Sequence, residues 1–315
     1  MAQSQSPTGE RTKLEPSIRA PANITQSPSL DTKTSSCSFH VIKAAWLKAC
    51  RLKTLPMLQD LKAKYPEALA LVTVTYGDVI RGVHIKKALA VSHRWMTPTD
   101  PDPDGVQLKA IRNHLSSPKG RDFEYVWIDA QCMPQDHPRG SRTEVDTAEF
   151  MRMLAQINML FLGMSVLILY DLSYSSRFWT QFEAWAAMQY ATPEGFKSAV
   201  GTLNERFHIE CIQNAAEQAE MHKQILISTW ASKTPQEAFE FLAKPDVTVT
   251  NQSDKEKQLP KIQRLNETIR NAFKVVAEQL QHAVSSTKQA AAETVAALEA
   301  FERDNEVTAG ERHPI

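Results

Sequence analysis

The chain has 315 residues, of which 42% are hydrophobic, and its 36 basic residues are balanced by 36 acidic residues. That length allows about two domains, or one domain with long flanks, and the hydrophobic content is enough for a core. A net charge of zero removes the electrostatic basis for binding nucleic acid or an acidic membrane, so neither partner is expected. The four cysteines are widely spaced and form no C-x-x-C pair, which argues against a zinc ribbon or a disulfide scaffold and is typical of a reduced, cytoplasmic protein.

The N-terminal part divides into a polar tail and a mixed extension. Residues 1–36 are rich in Ser, Thr, Pro and Gln and contain no apolar signal region, so we predict a disordered tail. Residues 37–85 are predicted to form an extension that is helical over 40–69 and extended over 71–75. The longest apolar run, residues 159–170, is shorter than the ~20 residues that cross a bilayer, so no membrane span is expected.

Residues 86–213 alternate between short apolar runs and longer segments with helical periodicity. This order is typical of an α/β domain with a parallel sheet and right-handed crossovers. The third run is apolar throughout, as in a strand buried on both faces of a sheet. The predicted strands are residues 88–92, 124–129, 165–171 and 206–211, and the predicted helices are residues 105–115, 143–161 and 178–190.

The C-terminal part is predicted to be helical from residue 214 to residue 301. Apolar residues recur over 259–301 at spacings of three, four or seven, which predicts a long amphipathic helix or a helix pair. Its apolar stripe either packs on the chain's own core, which is the commoner arrangement, or associates with a second copy. Residues 302–315 are expected to be a flexible tail.

Polar or aromatic residues follow three of the predicted strands. The carboxyl ends of parallel strands meet at one edge of a sheet, where ligands bind in α/β proteins, so we expect these residues to converge on one site. They are Ser92, His93, Arg94 and Trp95 after the first strand, Asp129 and Cys132 after the second, and Tyr174, Trp179 and Glu183 after the third.

The helix predicted over residues 178–190 carries the leading catalytic candidate. Phe178, Phe182 and Trp185 share the face expected to meet the core, and Trp179 and Glu183 share the neighbouring face. A carboxylate against an indole is partly desolvated, which raises its pKa. Such a group can stabilise positive charge on a sugar ring or accept hydrogen bonds from ribose hydroxyls. The alternative is a solvated glutamate with an ordinary pKa.

The other candidates each have two interpretations. His93 acts as a base or ligand, or it holds a loop by hydrogen bonding. Arg94 binds phosphate, or it pairs with Asp129 or Asp171. Cys132 is a nucleophile or, more simply, an inert thiol. The sequence contains no GxxxxGK[ST], GxGxxG or GxSxG motif, which argues against common NTPase, Rossmann and α/β-hydrolase functions.

Residues 100–105, which read DPDPDG, match the opening of a calcium-binding loop. The twelfth position, which should be a glutamate, is Ile111. We therefore favour a proline-stiffened loop in which Asp104 or Gly105 begins the next helix, and no metal site is expected.

Two blocks of this region resemble a known family. Residues 90–95, AVSHRW, and residues 125–135, YVWIDAQCMPQ, resemble the heterokaryon-incompatibility (HET) domain, which is related to the TIR domain. Residues 172–183, LSYSSRFWTQFE, resemble the TIR stretch S-x-x-Y-x-x-S-x-W-C-x-x-E. The resemblance covers residues 86–213, and it departs from the family pattern at Met96, where HET domains have Gly, and at Thr180.

The resemblance implies a flavodoxin-like sheet and cleavage of the nicotinamide–ribose bond of NAD in defence or cell-death signalling. Glu183 is then the catalytic residue, Trp179 walls the site, and Ser92, His93, Arg94 and Asp129 line it. NAD is the substrate and no cofactor is required. Related domains also act as non-catalytic signalling modules, and active ones often self-associate, so a homo-oligomer through the α/β domain or the C-terminal helix is expected.

Overall fold

A computed structural model describes the backbone of residues 36–310 and the side chains of residues 36–297. The predictions for residues 1–35 and for the last five residues lie outside this range. The strands are β1 (Ser36–Lys43), β2 (Leu69–Thr75), β3 (Ala88–Ser92), β4 (Tyr125–Trp127), β5 (Ser165–Tyr170), β6 (Gln189–Thr192), β7 (Gly195–Ser198) and β8 (Phe207–Cys211). The helices are α1 (Ala44–Ala49), α2 (Leu58–Lys64), α3 (Tyr76–Arg81), α4 (Val106–Ser116), α5 (Asp129–Cys132), α6 (Glu144–Ala155), α7 (Asn158–Gly163), α8 (Phe178–Ala187), α9 (Ala219–Trp230), α10 (Pro235–Leu242) and α11 (Gln252–Gly310).

Six strands form one sheet in the order β2-β1-β4-β3-β5-β8. Strands β4, β3, β5 and β8 run parallel, and β1 lies antiparallel to both β2 and β4. Helices flank this sheet, and β6 and β7 form a separate hairpin. The prediction of an α/β fold with a mainly parallel sheet is therefore confirmed.

The order in which the strands are added to the sheet reverses at its centre. Strand β3 pairs with β4 on one side and with β5 on the other, so the chain passes from β3 to β4 and then crosses β3 to reach β5. All five residues of β3 and five of the six in β5 are buried, which agrees with their continuous apolar sequence. A crevice forms at such a reversal, beyond the carboxyl ends of the strands.

The helix predicted from residue 40 is wrong at its start, because residues 36–43 form β1. In this strand Cys37, Phe39 and Val41 are buried, whereas the residues between them are partly exposed, and this period of two is the pattern of a strand. The helical spacing of the apolar residues applies only from Ala44 onwards. The N-terminal segment consequently supplies two strands to the main sheet.

Two predicted helices are also too long. The helix over residues 143–161 is interrupted at Gln156 and Ile157, which separate α6 from α7. The helix over residues 178–190 ends at Ala187, after which the β6–β7 hairpin begins. The beginning of α6 is as predicted, since Thr143 and Asp146 form a reciprocal capping box.

The loop with the calcium-like sequence instead caps α4. The Asp102 carboxylate accepts hydrogen bonds from the backbone N–H groups of Gln107 and Leu108. Gly105 precedes the helix at φ +72°, and a Cβ atom there would lie 2.3 Å from the carbonyl oxygen of Lys53. Only glycine fits that conformation and that gap, so the capping interpretation of this loop is confirmed.

The C-terminal region is helical, as predicted, but α11 continues to Gly310, into the segment predicted to be a flexible tail. Ile262, Leu265 and Ile269 of α11 are buried in the core that the sheet also contributes to, whereas Leu280 and Val284, farther along the same helix, are exposed. The stripe therefore packs on the chain itself over its first part. No helix in the described range is long and apolar enough to cross a membrane.

Candidate functional site

A cavity of about 740 Å³ lies beyond the carboxyl ends of β3 and β4 and beside the first turns of α8. Its volume falls within the ~300–1,000 Å³ typical of small-molecule sites. One side is polar and comes from the ends of the strands. The other side is mainly apolar and comes from α6, from Ile157 after it and from the start of α8. Its lining includes His93, Arg94, Trp95, Asp129, Met133, Phe150, Leu154, Ile157, Arg177, Phe178, Trp179, Glu183, Thr248, Asn251 and Asp254.

Glu183 lines this cavity although its side chain is almost completely buried. Phe178, Phe182 and Trp185 of the same helix are fully buried in the core, which turns the adjacent face, with Trp179 and Glu183, towards the cavity as predicted. Glu183 is 8% exposed, and its Oε2 accepts a 2.6 Å hydrogen bond from Ser92 Oγ. Burial raises the pKa of Glu183 well above its ordinary value, and the nearby Asp129 charge adds to this effect.

Tyr174 extends this contact into the core. Its hydroxyl lies 2.6 Å from Ser92 Oγ, and both side chains are fully buried. When Ser92 donates to an ionised Glu183, Tyr174 donates to Ser92, because a hydroxyl has only one proton. The two hydroxyl groups therefore hold Glu183 from the side opposite the cavity.

His93 and Asp129 form a second polar array. His93 Nδ1 lies 2.6 Å from Gln107 Oε1, and the Gln107 amide nitrogen donates to the Arg94 carbonyl oxygen at 2.8 Å. That carbonyl only accepts, which fixes the amide orientation and requires a proton on Nδ1. Nε2 lies 2.9 Å from Asp129 Oδ1, so a second proton there makes an imidazolium–carboxylate pair.

The ionisation of this pair follows from the same contacts. Burial lowers the pKa of His93, but the charge and hydrogen bond of Asp129 outweigh it and leave the pKa raised. Burial likewise works against the Asp129 carboxylate, but the His93 charge and a 2.7 Å hydrogen bond from Trp95 Nε1 leave the pKa of Asp129 lowered. The half-buried Asp129 therefore presents a stable negative charge to the cavity.

Arg94 lines the cavity but is engaged by an acidic partner. Its Nε and one terminal nitrogen contact the same Asp171 oxygen at 2.9 and 2.6 Å. Of the two alternatives for Arg94, the structure shows pairing with Asp171. A third nitrogen donates to the Trp95 carbonyl oxygen, so the guanidinium also orders the loop that carries Trp95.

Three predicted site residues do not line the cavity. Ser92 and Tyr174 lie behind Glu183, as described above. Cys132 is fully buried, its Sγ accepts a 3.4 Å hydrogen bond from the Ile128 backbone N–H, and burial raises the pKa of its thiol to about 12. Cys132 therefore does not converge on the cavity with the other residues, because α5 places its side chain in the core, as the inert-thiol interpretation predicts.

The segment before α11 was not predicted to belong to the site. The Thr248 carbonyl oxygen accepts a 2.8 Å hydrogen bond from the Phe178 N–H, and the Thr248 N–H donates to the Ser176 carbonyl oxygen at 2.9 Å. This pairing joins the segment to the start of α8, so that Thr248, Asn251 and Asp254 close one side of the cavity. Burial raises the pKa of Asp254. The alternating sequence VTVT over residues 247–250 was the available signal for this extended segment.

The described side chains contain no cluster of three or more residues suited to holding a metal ion. Comparisons with protein-family models, with curated proteins and with solved structures found no match.

Proposed function

We propose that the protein is an NAD glycohydrolase that cleaves the nicotinamide–ribose bond, with Glu183 as its catalytic residue. The observation that carries this proposal is a buried carboxylate beside Trp179 in a nucleotide-sized cavity. Oε2 of Glu183 is held by Ser92, and within the described range Oε1 makes no protein hydrogen bond. That oxygen is available to a ligand.

The proposed reaction requires little acid catalysis. The bond between ribose C1′ and the pyridinium nitrogen breaks with its electron pair moving to the ring, so nicotinamide leaves as a neutral molecule. The positive charge then lies on the ribose, where the Glu183 carboxylate stabilises it in a low-dielectric site. Water adds to C1′ and gives its proton to Glu183. One carboxylate therefore suffices.

The remaining polar groups suit the rest of such a substrate. The ionised Asp129 is an acceptor for ribose hydroxyls, and Trp95 and Trp179 are aromatic surfaces for planar rings. The apolar wall of Phe150 and Leu154 excludes water from that side of the cavity.

Two further observations support a TIR- or HET-like assignment. Numbered among themselves in chain order, the four parallel strands have the spatial order 2-1-3-4, which is the flavodoxin-like order without its fifth strand. In addition, residues from the AVSHRW, WIDAQC and RFWTQFE blocks line one cavity. On this assignment the protein acts in the cytoplasm in defence or cell-death signalling.

A second candidate function is a non-catalytic signalling module that acts by self-association. The observation that favours it is the exposure of Leu280, Val284 and Val295 along α11. These side chains lie beyond the part of the helix that packs on the core, so a second copy of the chain is a suitable partner. The two candidates differ in whether nicotinamide is released.

The deciding experiment measures nicotinamide release from NAD by purified protein over a range of protein concentrations. We expect release by the wild type and a loss of about 10²–10³-fold in rate for Glu183→Gln and Glu183→Ala, as for removal of a group that stabilises transition-state charge. Glu217→Gln, an exposed site outside the cavity, is the matched control. Equal inactivity of wild type and variants at high concentration would favour the signalling module.

A further inference from the structure

Glu183 is a buried carboxylate without a cationic partner. In the range with described side chains, its one hydrogen-bond partner is Ser92, and no basic side chain lies within salt-bridge distance. The basic groups around the cavity are engaged elsewhere. Arg94 pairs with Asp171 and His93 pairs with Asp129. Arg177 donates to the neutral Thr250 Oγ1 and keeps its positive charge at the edge of the cavity, away from Glu183.

A buried carboxylate that lacks a counter-ion is costly in its charged form. Without a bound cation, protonated Glu183 is therefore favoured, in agreement with the raised pKa of this residue. A ligand with a fixed positive charge next to Glu183 supplies the missing counter-ion and favours the carboxylate. A neutral ligand of the same shape gives no such compensation.

Asp129 strengthens the preference of the cavity for a positively charged ligand. Its hydrogen bonds from Trp95 and from the Ala130 backbone N–H, together with the His93 charge, hold it in the ionised form. Because Asp129 lines the same cavity, its carboxylate adds to the attraction for a cation, although one of its oxygens is already paired with His93. Of the positive charges at the cavity, the proton on Glu183 is the one that is removed at the lowest cost in free energy.

We propose that the cavity selects ligands whose ring carries a fixed positive charge, such as a pyridinium, over neutral rings of the same shape, and that binding of the cation releases one proton from Glu183. This inference rests on the proposed function, since the pyridinium is the ring of the proposed substrate. It goes beyond that function because it concerns binding, before any bond is broken. It also predicts discrimination between the oxidised and the reduced dinucleotide.

The groups that face Glu183 limit where the released proton can originate. Ser92 and Tyr174 lie behind it and do not ionise near neutral pH. His93 is held by Asp129 and Gln107 on both ring nitrogens. Asp254, which also lines the cavity, is the remaining lining carboxyl group with a raised pKa, so it needs a variant of its own.

Isothermal titration calorimetry with two uncleavable probes tests the proposal. The probes are 1-methylnicotinamide, which is a cation, and nicotinamide, which is its neutral counterpart. We expect the wild type to bind the cation at least tenfold more tightly at pH 7. Titrations in phosphate and in Tris, whose ionisation enthalpies differ, give the number of protons released. That number should decline as the pH rises above the pKa of Glu183 in the ligand-free protein.

Variants assign the proton to a residue. Glu183→Gln, which keeps the shape of the protonated side chain, should abolish both the preference for the cation and the proton release. Asp254→Asn should keep the release, and Glu217→Gln should keep both properties. Equal affinity for the two probes, no binding of the cation, or release that survives Glu183→Gln would each overturn the proposal.

The result of these titrations can be distinguished from the result of the nicotinamide-release assay that tests the proposed function. Neither probe contains a glycosidic bond, so these titrations do not depend on catalysis. Protein that shows cation-selective, proton-linked binding but releases no nicotinamide from NAD contradicts the proposed function alone. Protein that cleaves NAD without proton release on binding contradicts the present inference alone.

Discussion

Ser92 donates a hydrogen bond of 2.6 Å to Oε2 of Glu183, which lies 91 residues later in the chain. Ser92 ends the buried strand β3, and Glu183 lies in the second turn of α8. Both backbone segments are fixed by core packing, so the contact sets the direction of the carboxyl group. The same contact determines which Glu183 oxygen remains for a ligand.

Replacement of Glu183 by glutamine should make stability less dependent on pH. The folded-state pKa of Glu183 is raised above its ordinary value of 4.5, so between these two values the folded state holds a proton that the unfolded state has lost. The stabilising effect of that proton is fully present below pH 4.5 and is lost as the pH rises through the folded pKa. In Glu183→Gln this loss of stability with rising pH is absent, because the glutamine side chain does not ionise.

The melting temperature, measured from pH 5 to pH 9, tests this prediction. The difference between Glu183→Gln and wild type should shift in favour of the variant as the pH rises. The exposed Glu217→Gln variant should show a flat difference. A difference for Glu183→Gln that is independent of pH would mean that this carboxyl group ionises normally in the folded protein.

Removal of the Ser92 hydroxyl should destabilise the protein, because the buried Tyr174 hydroxyl and Glu183 carboxyl group both lose a hydrogen-bond partner. Ser92→Ala leaves the buried Tyr174 hydroxyl without its partner, which costs about 1–3 kcal/mol. Tyr174→Phe in the Ser92→Ala background removes the unpaired group and should recover part of the loss. Urea unfolding of the two single variants and the double variant gives the coupling energy, expected at about 0.5–3 kcal/mol. Strictly additive effects would exclude an energetic link between the two hydroxyls.

Asp129→Asn should lower the pKa of His93 and destabilise the fold over a defined pH range. The lowered pKa of Asp129 gives stability that is present above its ordinary 3.8 and lost as the pH falls through the folded pKa. The raised pKa of His93 gives stability that is present below its ordinary 6.5 and lost as the pH rises through the folded pKa. The pair therefore contributes fully between about pH 4 and 6.5.

In that range we expect Asp129→Asn to cost about 1–3 kcal/mol, with a smaller cost above the folded pKa of His93. Nitrogen-15 chemical shifts of the imidazole report the protonation directly. In the wild type both nitrogens should still show imidazolium shifts at pH 6.5, whereas the variant should titrate at lower pH. A neutral His93 at pH 6 in the wild type would contradict the ion pair.

Truncation of α11 should have two distinct outcomes. A chain that ends at residue 285 keeps the buried side chains Ile262, Leu265 and Ile269 and should melt close to the full-length protein. A chain that ends at residue 258 loses all three, each worth about 1.5–3 kcal/mol of burial. That sum is comparable to the whole stability of a domain, so the shorter chain should not fold. Circular dichroism on heating distinguishes the two.

Local patterns were sufficient for the elements nearest the site. The continuous apolar runs of β3 and β5 identified the central strands, and the spacing of Phe178, Phe182 and Trp185 oriented α8. Because side-chain direction along a helix is periodic, the same spacing placed Glu183 beside Trp179 at the strand ends. These predictions needed no knowledge of what the segments pack against.

Contacts between distant segments were decided only in the tertiary structure. Strand β1 pairs with β2 and β4, and Thr248 pairs with the start of α8, although nothing near either segment in the sequence specifies a partner. The buried Arg206 likewise donates to the carbonyl oxygens of Phe161, Met164, Ala186 and Gln189. Period and composition are properties of a short stretch of chain and specify which face is buried. Strand pairing, the closure of the cavity and the ionisation of Glu183 depend on which groups meet after folding, because burial and neighbouring charge belong to the assembled structure.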